Sequence, residues 1–321
     1  MSGISYASHS DHLVRANLWS NQVKEVLLDE LMGTKYVDMI TDFPDGDTLN
    51  IPSIGQAEVL DYAEGQGIKY TGMDTGNFTF SINKYKSSAT FITEKMKQDS
   101  FYMSRLVSSF VPKQARAIAK AMEIDIMSIG PDGQTASDLN NINGAAHRWV
   151  APLTSSKATI TIADFAKAKY ALQKANVPMT NLVAIVDPSV EYTLGVLTAG
   201  TSAMQYNPKW EGIVSSGIST GMKFITNVYG FDVYVSQNLK SIGSETVNSV
   251  ATNGYGVANL FFSAAPDVLP FVGSIRQAPK VDSEYNKDMQ REEYVTTCRY
   301  GFKLFRPENL VTVITDTNVV A

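Results

Sequence analysis

The most constraining feature of this sequence is the stretch 58–129, in which a glycine-punctuated β segment feeds directly into one very long helical pattern. Met103, Leu106, Val107, Phe110, Ala115, Ile118, Met122, Ile126 and Ile129 recur near 3.6-residue spacing, with Ser104, Arg105, Lys113, Gln114, Lys120 and Glu123 among the polar residues between them. Continuous from Asp99 to Ile129, such a helix is roughly 45 Å long. Pro112 lies inside it. An interior proline costs about 3 kcal/mol and bends or breaks a helix, which predicts a bend between Ser108 and Pro112. Gly130-Pro131-Asp132-Gly133 reads as the stop.

Ahead of the helix, Phe78, Phe80 and Ile82 alternate with Thr79, Ser81 and Asn83, the period-2 signature of a half-buried strand. The alternation slips at Lys84-Tyr85 and resumes with Tyr85, Ser87, Ala89 and Phe91. Gly65 and Gly67 mark a turn before Ile68-Lys69-Tyr70, and Gly72 and Gly76 mark another break. A two-stranded ribbon alone is marginal in water. It either packs on its own domain as an ordinary hairpin or is completed by a neighbouring copy; the pattern leaves both open.

The 321 residues suffice for a large core and suggest one to three domains. The net charge of −5 is mild, and no run of Lys or Arg forms the basic stripe of a dedicated nucleic-acid groove. The single cysteine, Cys298, excludes an intramolecular disulfide and reads as a small buried residue in a strand, not a catalytic thiol. No apolar run is long enough for a transmembrane helix, and residues 1–19 lack a signal core. A cytosolic protein is expected.

Along the chain, residues 1–16 read as an extended polar arm. Residues 17–32 read as an amphipathic helix capped by Asn17, with Trp19, Val23, Val26, Leu27 and Leu31 on one face and Gly33 ending it. Thr48 to Pro52 reads as a short strand closed by Pro52. Residues 131–158 are loop-like, and 159–275 look like a compact α/β unit. Within it, Thr161 caps a helix carrying Phe165, Ala168 and Leu172, 181–186 is a buried strand, and Pro188 opens a second helix. Residues 200–220 and 241–256 read as loops, 222–235 as a hairpin turning at Tyr229-Gly230, and 260–262 as a strand. Residues 276–290 are polar without strong period. A long strand from Tyr294 to Phe305, a turn at 306–309 and a last strand 310–314 close the chain.

Catalytic motifs are mostly missing. There is no Gly-Lys pair for a phosphate loop. Gly254-Tyr255-Gly256 starts like a dinucleotide fingerprint, but Asn259 replaces its third glycine. His9 and His12 have metal-ligand spacing but no Cys or third His nearby, and solvated polar residues are the better reading. Asp42, Asp45 and Asp47 do not follow the calcium-loop order and read as a turn. Asp61 with Glu64, and Glu292 with Glu293, read as solvated or ion-paired faces, not acid/base pairs. Asn77 heads a formal glycosylation sequon that the lack of a secretory signal leaves idle. No catalytic, cofactor-binding or metal residue is assigned, and no cofactor is expected.

Four segments resemble a known family. VLDYAEGQGIKYTGMDTGNFTFSINKYKSSATFITEKMKQ is similar to the extended E-loop hairpin of tailed-bacteriophage major capsid proteins of the Hong Kong 97-type shell fold. SFYMSRLVSSFVPKQARAIAKAMEIDIM resembles their spine helix. NLVAIVDPSVEYTLG and GMKFITNVYGFDVYVSQNL resemble their axial domain, and RYGFKLFRPENLVTV the return strands of their peripheral domain.

The resemblance implies an α+β fold with residues 1–47 as an N-terminal arm and 48–92 as the E-loop with flanking strands. Residues 93–155 would be the peripheral domain with its spine helix, 156–275 the axial domain, and 276–321 the return strands. It implies a structural subunit, not an enzyme, that assembles into hexamers and pentamers tiling an icosahedral shell around double-stranded DNA. E-loop and arm would lie on neighbours and hide exposed edges. Its partners would be copies of itself, a scaffolding protein, a portal, a decoration protein and non-specifically packaged DNA, with no membrane. It would be assembled in the host cytoplasm and reside in the virion capsid. About 45 residues precede the E-loop, so a separate scaffolding protein or prior processing is expected. Lys69 lies where some members crosslink to a neighbour's Asn; no Asn partner is identified and no crosslink is expected. The alternatives are an encapsulin-type nanocompartment shell, whose cargo is enzymes, and a soluble α/β enzyme whose site escapes motif reading.

Overall fold

A computed structural model describes residues 32–41, 46, 48–54, 61, 64–65, 67, 75–99, 103–134, 140–154, 156–200 and 224–318. The expected N-terminal arm and helix, most of 42–47, Lys69 and the 201–220 loop lie outside them. The principal strands are β1 (Val37–Met39), β2 (Thr48–Ile54), β3 (Thr75–Ser81) and β4 (Lys84–Thr93). Helices α1 (Glu94–Asp99) and α2 (Met103–Gly133) follow, then β5 (Arg148–Val150), α3 (Ile162–Lys174), β6 (Leu182–Val186) and α4 (Pro188–Gly200). The remainder is β7 (Phe224–Val228), β8 (Phe231–Val235), β9 (Ser241–Gly243), β10 (Gly256–Ser263), β11 (Phe271–Asn286), β12 (Arg291–Leu304) and β13 (Val311–Asp316).

The described residues divide into two units: 85–122 with 277–299, and 32–84 with 123–276 and 300–318. The second is built on a seven-stranded sheet in the order β7-β8-β6-β10-β13-β5, with β9 also pairing β10. β6 is parallel to β8 and β13 to β5; the other pairs are antiparallel. All eight residues of β10 and all five of β6 are buried, which is why both read as unbroken apolar runs. Leu182, Ala184 and Val186 join Phe165, Ala168, Ala171 and Leu172 of α3 and Val190 and Leu194 of α4 in one core. Val183 and Ile185, pointing the opposite way, join Ile126 and Met127 of α2 in another. The expected α/β unit is therefore a sheet with helices on both faces.

Local signals explain its boundaries. Thr161 and Asp164 form a reciprocal capping box at α3. Tyr229 and Gly230, at φ 53° and 93°, make the two-residue turn between β7 and β8, where positive φ at both positions matches the strand twist.

Four expectations need correction. Helix α2 does not stop at Gly130 but runs on through Pro131 to Gly133. A Cβ at Gly130 would stand 2.7 Å from Leu310 Cδ2, so glycine here permits close packing, and Pro131 falls in the last turn of the helix. Pro112, where a bend is expected, lies within this continuous helix. β2 continues past Pro52 to Ile54, because a two-stranded ribbon leaves one side of each strand free of backbone partners. Residues 276–286 belong to β11, whose outer part is exposed on both faces and so carries no period. Finally, the loop-like 131–158 contains β5, every residue of which is buried.

Candidate assembly surface

In the smaller unit, β4 and β12 share a sheet with β11. Even-numbered residues of β4 and β12 are the more buried ones. Ile92, Thr296 and Cys298 are buried. Gln114 of α2 accepts the Thr296 hydroxyl at 2.9 Å and donates to the Tyr294 carbonyl at 3.4 Å. Gln114, Ile118 and Met122 form the buried stripe of that helical segment. The odd-numbered face of β4 is exposed: Tyr85 at 63% and Phe91 at 56%, with Ser87 and Ala89 between them. The slipped alternation noted in the sequence is thus an apolar and uncharged strip turned to solvent. Arg291 lies over the Phe91 ring at 4.7 Å, and Gln277 donates to Thr297 Oγ1 at 3.1 Å.

In the larger unit, β2 and β3 make an antiparallel ribbon in register from Thr48↔Ser81 to Ile54↔Thr75. The partner of the Phe78-Phe80 strand is thus Thr48–Ile54, separated from it by residues 55–74. Phe80 and Ile82 pack with Val272, and Phe78 and Phe305 with them. The Phe78 and Phe305 rings meet edge-on at 4.8 Å. Lys303 lies over Phe78 at 4.7 Å and donates to the Thr79 carbonyl at 2.6 Å. A Cβ at Gly301 would be 2.6 Å from the Ser81 carbonyl oxygen, so the ribbon root lies directly on β12 backbone. The two strands, TLNIPSI and TGNFTFS, contain no charged residue.

The carboxylates singled out from sequence do not converge. Glu292 pairs with Lys97 at 2.6 Å and Glu293 with Arg291 at 2.6 Å. Hydrogen bonding to those cations holds both carboxyls below the usual range. Asp61 and Glu64 are exposed. Cys298 is a free, buried thiol whose pKa is pushed up by burial. Asn77 is exposed in β3. His9, His12, Asp42, Asp45 and Asp47 lie outside the described residues. Among the described residues, no group of His, Cys, Asp or Glu could hold a metal, and no helix is long and apolar enough to cross a membrane. An open cleft of about 420 Å³ in the larger unit is lined by Lys84, Lys303, Asp125 and Asp132 among others. Asp125 accepts the Tyr300 hydroxyl at 2.7 Å and faces Lys84 at 3.8 Å, an arrangement of paired charges.

The sequence profile of a family described as phage capsid protein matches residues 77–313. The chain belongs to that phage capsid protein family. No curated protein sequence matches it. A chain from Mycobacterium phage Che8 has the same fold with a TM-score of 0.66 at 17% identity, covering 93% of this chain and 96% of that one. The capsid structure of cyanophage P-SCSP1u gives 0.68 at 14% identity, covering 93% and 92%. The mature capsid of bacteriophage PhiM1 gives 0.67 at 10% identity, covering 100% and 98%. The fold is the Hong Kong 97-type capsid fold. As a member of this family the chain is a structural shell subunit of a phage, self-associating in the virion capsid. Among the described residues, the strip from Tyr85 to Phe91 is the exposed face of β4. The sequence carried half of this. It showed the strip 85–91 as apolar, but not that it faces away from its own helix.

Proposed function

We propose that this subunit forms hexamers and pentamers that tile an icosahedral shell around double-stranded DNA. The charge-free β2–β3 ribbon of one copy would lie on the Tyr85-Ser87-Ala89-Phe91 strip of the next. The observation that supports this reading is the match between two uncharged surfaces that stay largely exposed among the described residues: the odd-numbered face of β4 and the outer part of the ribbon beyond its packed root at Phe78 and Phe80. Bringing them together desolvates no formal charge on either strip, while backbone and Asn, Thr and Ser groups remain able to hydrogen-bond. Permanent interfaces of this kind commonly bury more than about 2,000 Å².

The remainder of the reading follows from the family. The subunit is structural and has no catalytic role. Residues 1–47 act as an arm and 48–92 as the E-loop with its flanking strands; 93–155 form the peripheral domain, 156–275 the axial domain and 276–321 the return strands. A scaffolding protein, a portal and a decoration protein are its partners besides itself and the packaged DNA, and assembly takes place in the host cytoplasm.

Purified protein, alone and with the products of neighbouring reading frames, tests this by light scattering and negative-stain microscopy. Capsomers, sheets or closed particles are expected; a persistent monomer overturns the reading. Deleting residues 66–80 removes most of β3 and should leave the seven-stranded sheet folded while blocking closure. Unchanged particles would refute the interlocking role of the ribbon.

A further inference from the structure

Glu123 is a fully buried carboxylate in α2. One of its oxygens accepts the backbone N–H of Met32 at 3.1 Å and the other that of Gly33 at 2.7 Å. Those amides open the 3-10 turn Gly33–Tyr36, whose N-cap residue is Met32 and which has no side-chain cap of its own. The first amides of a helical turn lack partners within it and favour a negative group. Here that group comes from 90 residues further along the chain. Gly33 is fitted to it: a Cβ there would stand 2.7 Å from Glu123 Oε2 and 3.2 Å from Ile126 Cγ2. Immediately after the turn, Val37–Met39 pairs in parallel with Phe271–Gly273.

A buried carboxylate is costly unless it is well hydrogen-bonded. A Ser at position 32 would cap the turn locally with no buried charge. What the remote cap adds is a tie between α2 and the backbone at Met32 and Gly33, the start of the described chain. We infer that Glu123 is a positioning residue for shell assembly, clamping the chain at Met32–Gly33 and so fixing where residues 1–31 set out toward a neighbouring copy. This rests on the proposed role of the N-terminal segment in assembly.

The test uses the full-length protein with E123A, E123Q and G33A, beside a deletion of residues 1–31. Amide exchange at 32–36 should quicken about tenfold or more in E123A, the equivalent of one charge-assisted hydrogen bond. It should quicken less in E123Q, which keeps one acceptor oxygen. G33A should do the same with the carboxylate intact, and so decides the matter if E123A fails to fold. Particle yield in E123A and G33A should fall toward that of the deletion, with E123Q between them and wild type. If the deletion assembles as well as wild type, the N-terminal segment has no assembly role and the inference falls with that part of the reading. If the deletion blocks assembly while E123A and G33A assemble normally or keep wild-type exchange, the clamp alone is wrong.

Discussion

Arg291 stands over the ring of Phe91, its guanidinium carbon 4.7 Å from the ring centroid, while its Nε donates to Glu293 at 2.6 Å. The ring nevertheless stays 56% exposed. Its partner within the chain steers Phe91 without covering it, and an aromatic anchor held this way is suited to a contact with a second copy.

Replacing Phe91 separates the two roles. F91A should leave the isolated subunit within about 0.5 kcal/mol of wild type, as exposed substitutions do. Each contact between subunits should lose about 2 kcal/mol, the scale of a truncated aromatic anchor. The concentration needed for assembly should then rise roughly thirtyfold. F91D should abolish particles. Sedimentation velocity against protein concentration, with urea unfolding of the subunit, reads both. A stability loss without an assembly loss would place Phe91 in the core.

Gly301 sets the ribbon. A Cβ there would meet the Ser81 carbonyl oxygen at 2.6 Å and Ile82 Cα at 2.9 Å, both backbone. Neither yields easily, so G301A should cost about 1–3 kcal/mol, the range for overpacking. At Gly133 the corresponding clash is with Leu304 Cδ2 at 2.9 Å, the end of a flexible side chain. G133A should therefore cost less. Urea denaturation of the two variants makes the comparison, and equal losses would mean the Ser81 backbone shifts freely.

What was legible in the sequence depended on whether burial leaves a pattern in each segment. α3 was readable because burial of one face fixes its period and its cap is local, at Thr161 and Asp164, and β6 because burial on both faces leaves one unbroken apolar run. The outer part of β11 was not, because residues around Pro279 and Lys280 are exposed on both faces and follow no alternation. β5 was missed for the opposite reason: Arg148 is a charged residue in a buried strand, and its partners lie far along the chain. The candidate surface was half legible. The strip at Tyr85 to Phe91 is written in the sequence, but which face α2 covers depends on Gln114 reaching Thr296, 182 residues away.

Arg148 gives a stability prediction. Its guanidinium donates to the Gln134 carbonyl at 2.7 Å at the end of α2 and pairs with Glu245, both side chains being nearly fully buried. Removing one member of such a pair strands the other, at a cost of about 3–5 kcal/mol. R148A and E245A should each fall in that range by chemical denaturation. The R148M/E245M double variant should lose much less than their sum. Strict additivity would show that the two charges are not coupled.

His147 should make the larger unit sensitive to mild acid. The ring is fully buried, and Nδ1 lies 3.1 Å from the Ala145 carbonyl, to which the neutral ring donates. Burial holds its pKa below the ordinary 6.5, whereas in the unfolded chain it titrates near that value. Between the two pKa values the unfolded state binds more protons, so stability rises with pH there. The contribution is complete above pH 6.5 and is lost as the pH falls from there toward the folded-state value, below which the slope vanishes. Melting temperatures between about pH 5 and 8 should therefore decline on the acid side in wild type. They should decline less steeply in H147Q, which cannot take up that proton. Parallel curves for the two proteins would assign the acid sensitivity to other groups.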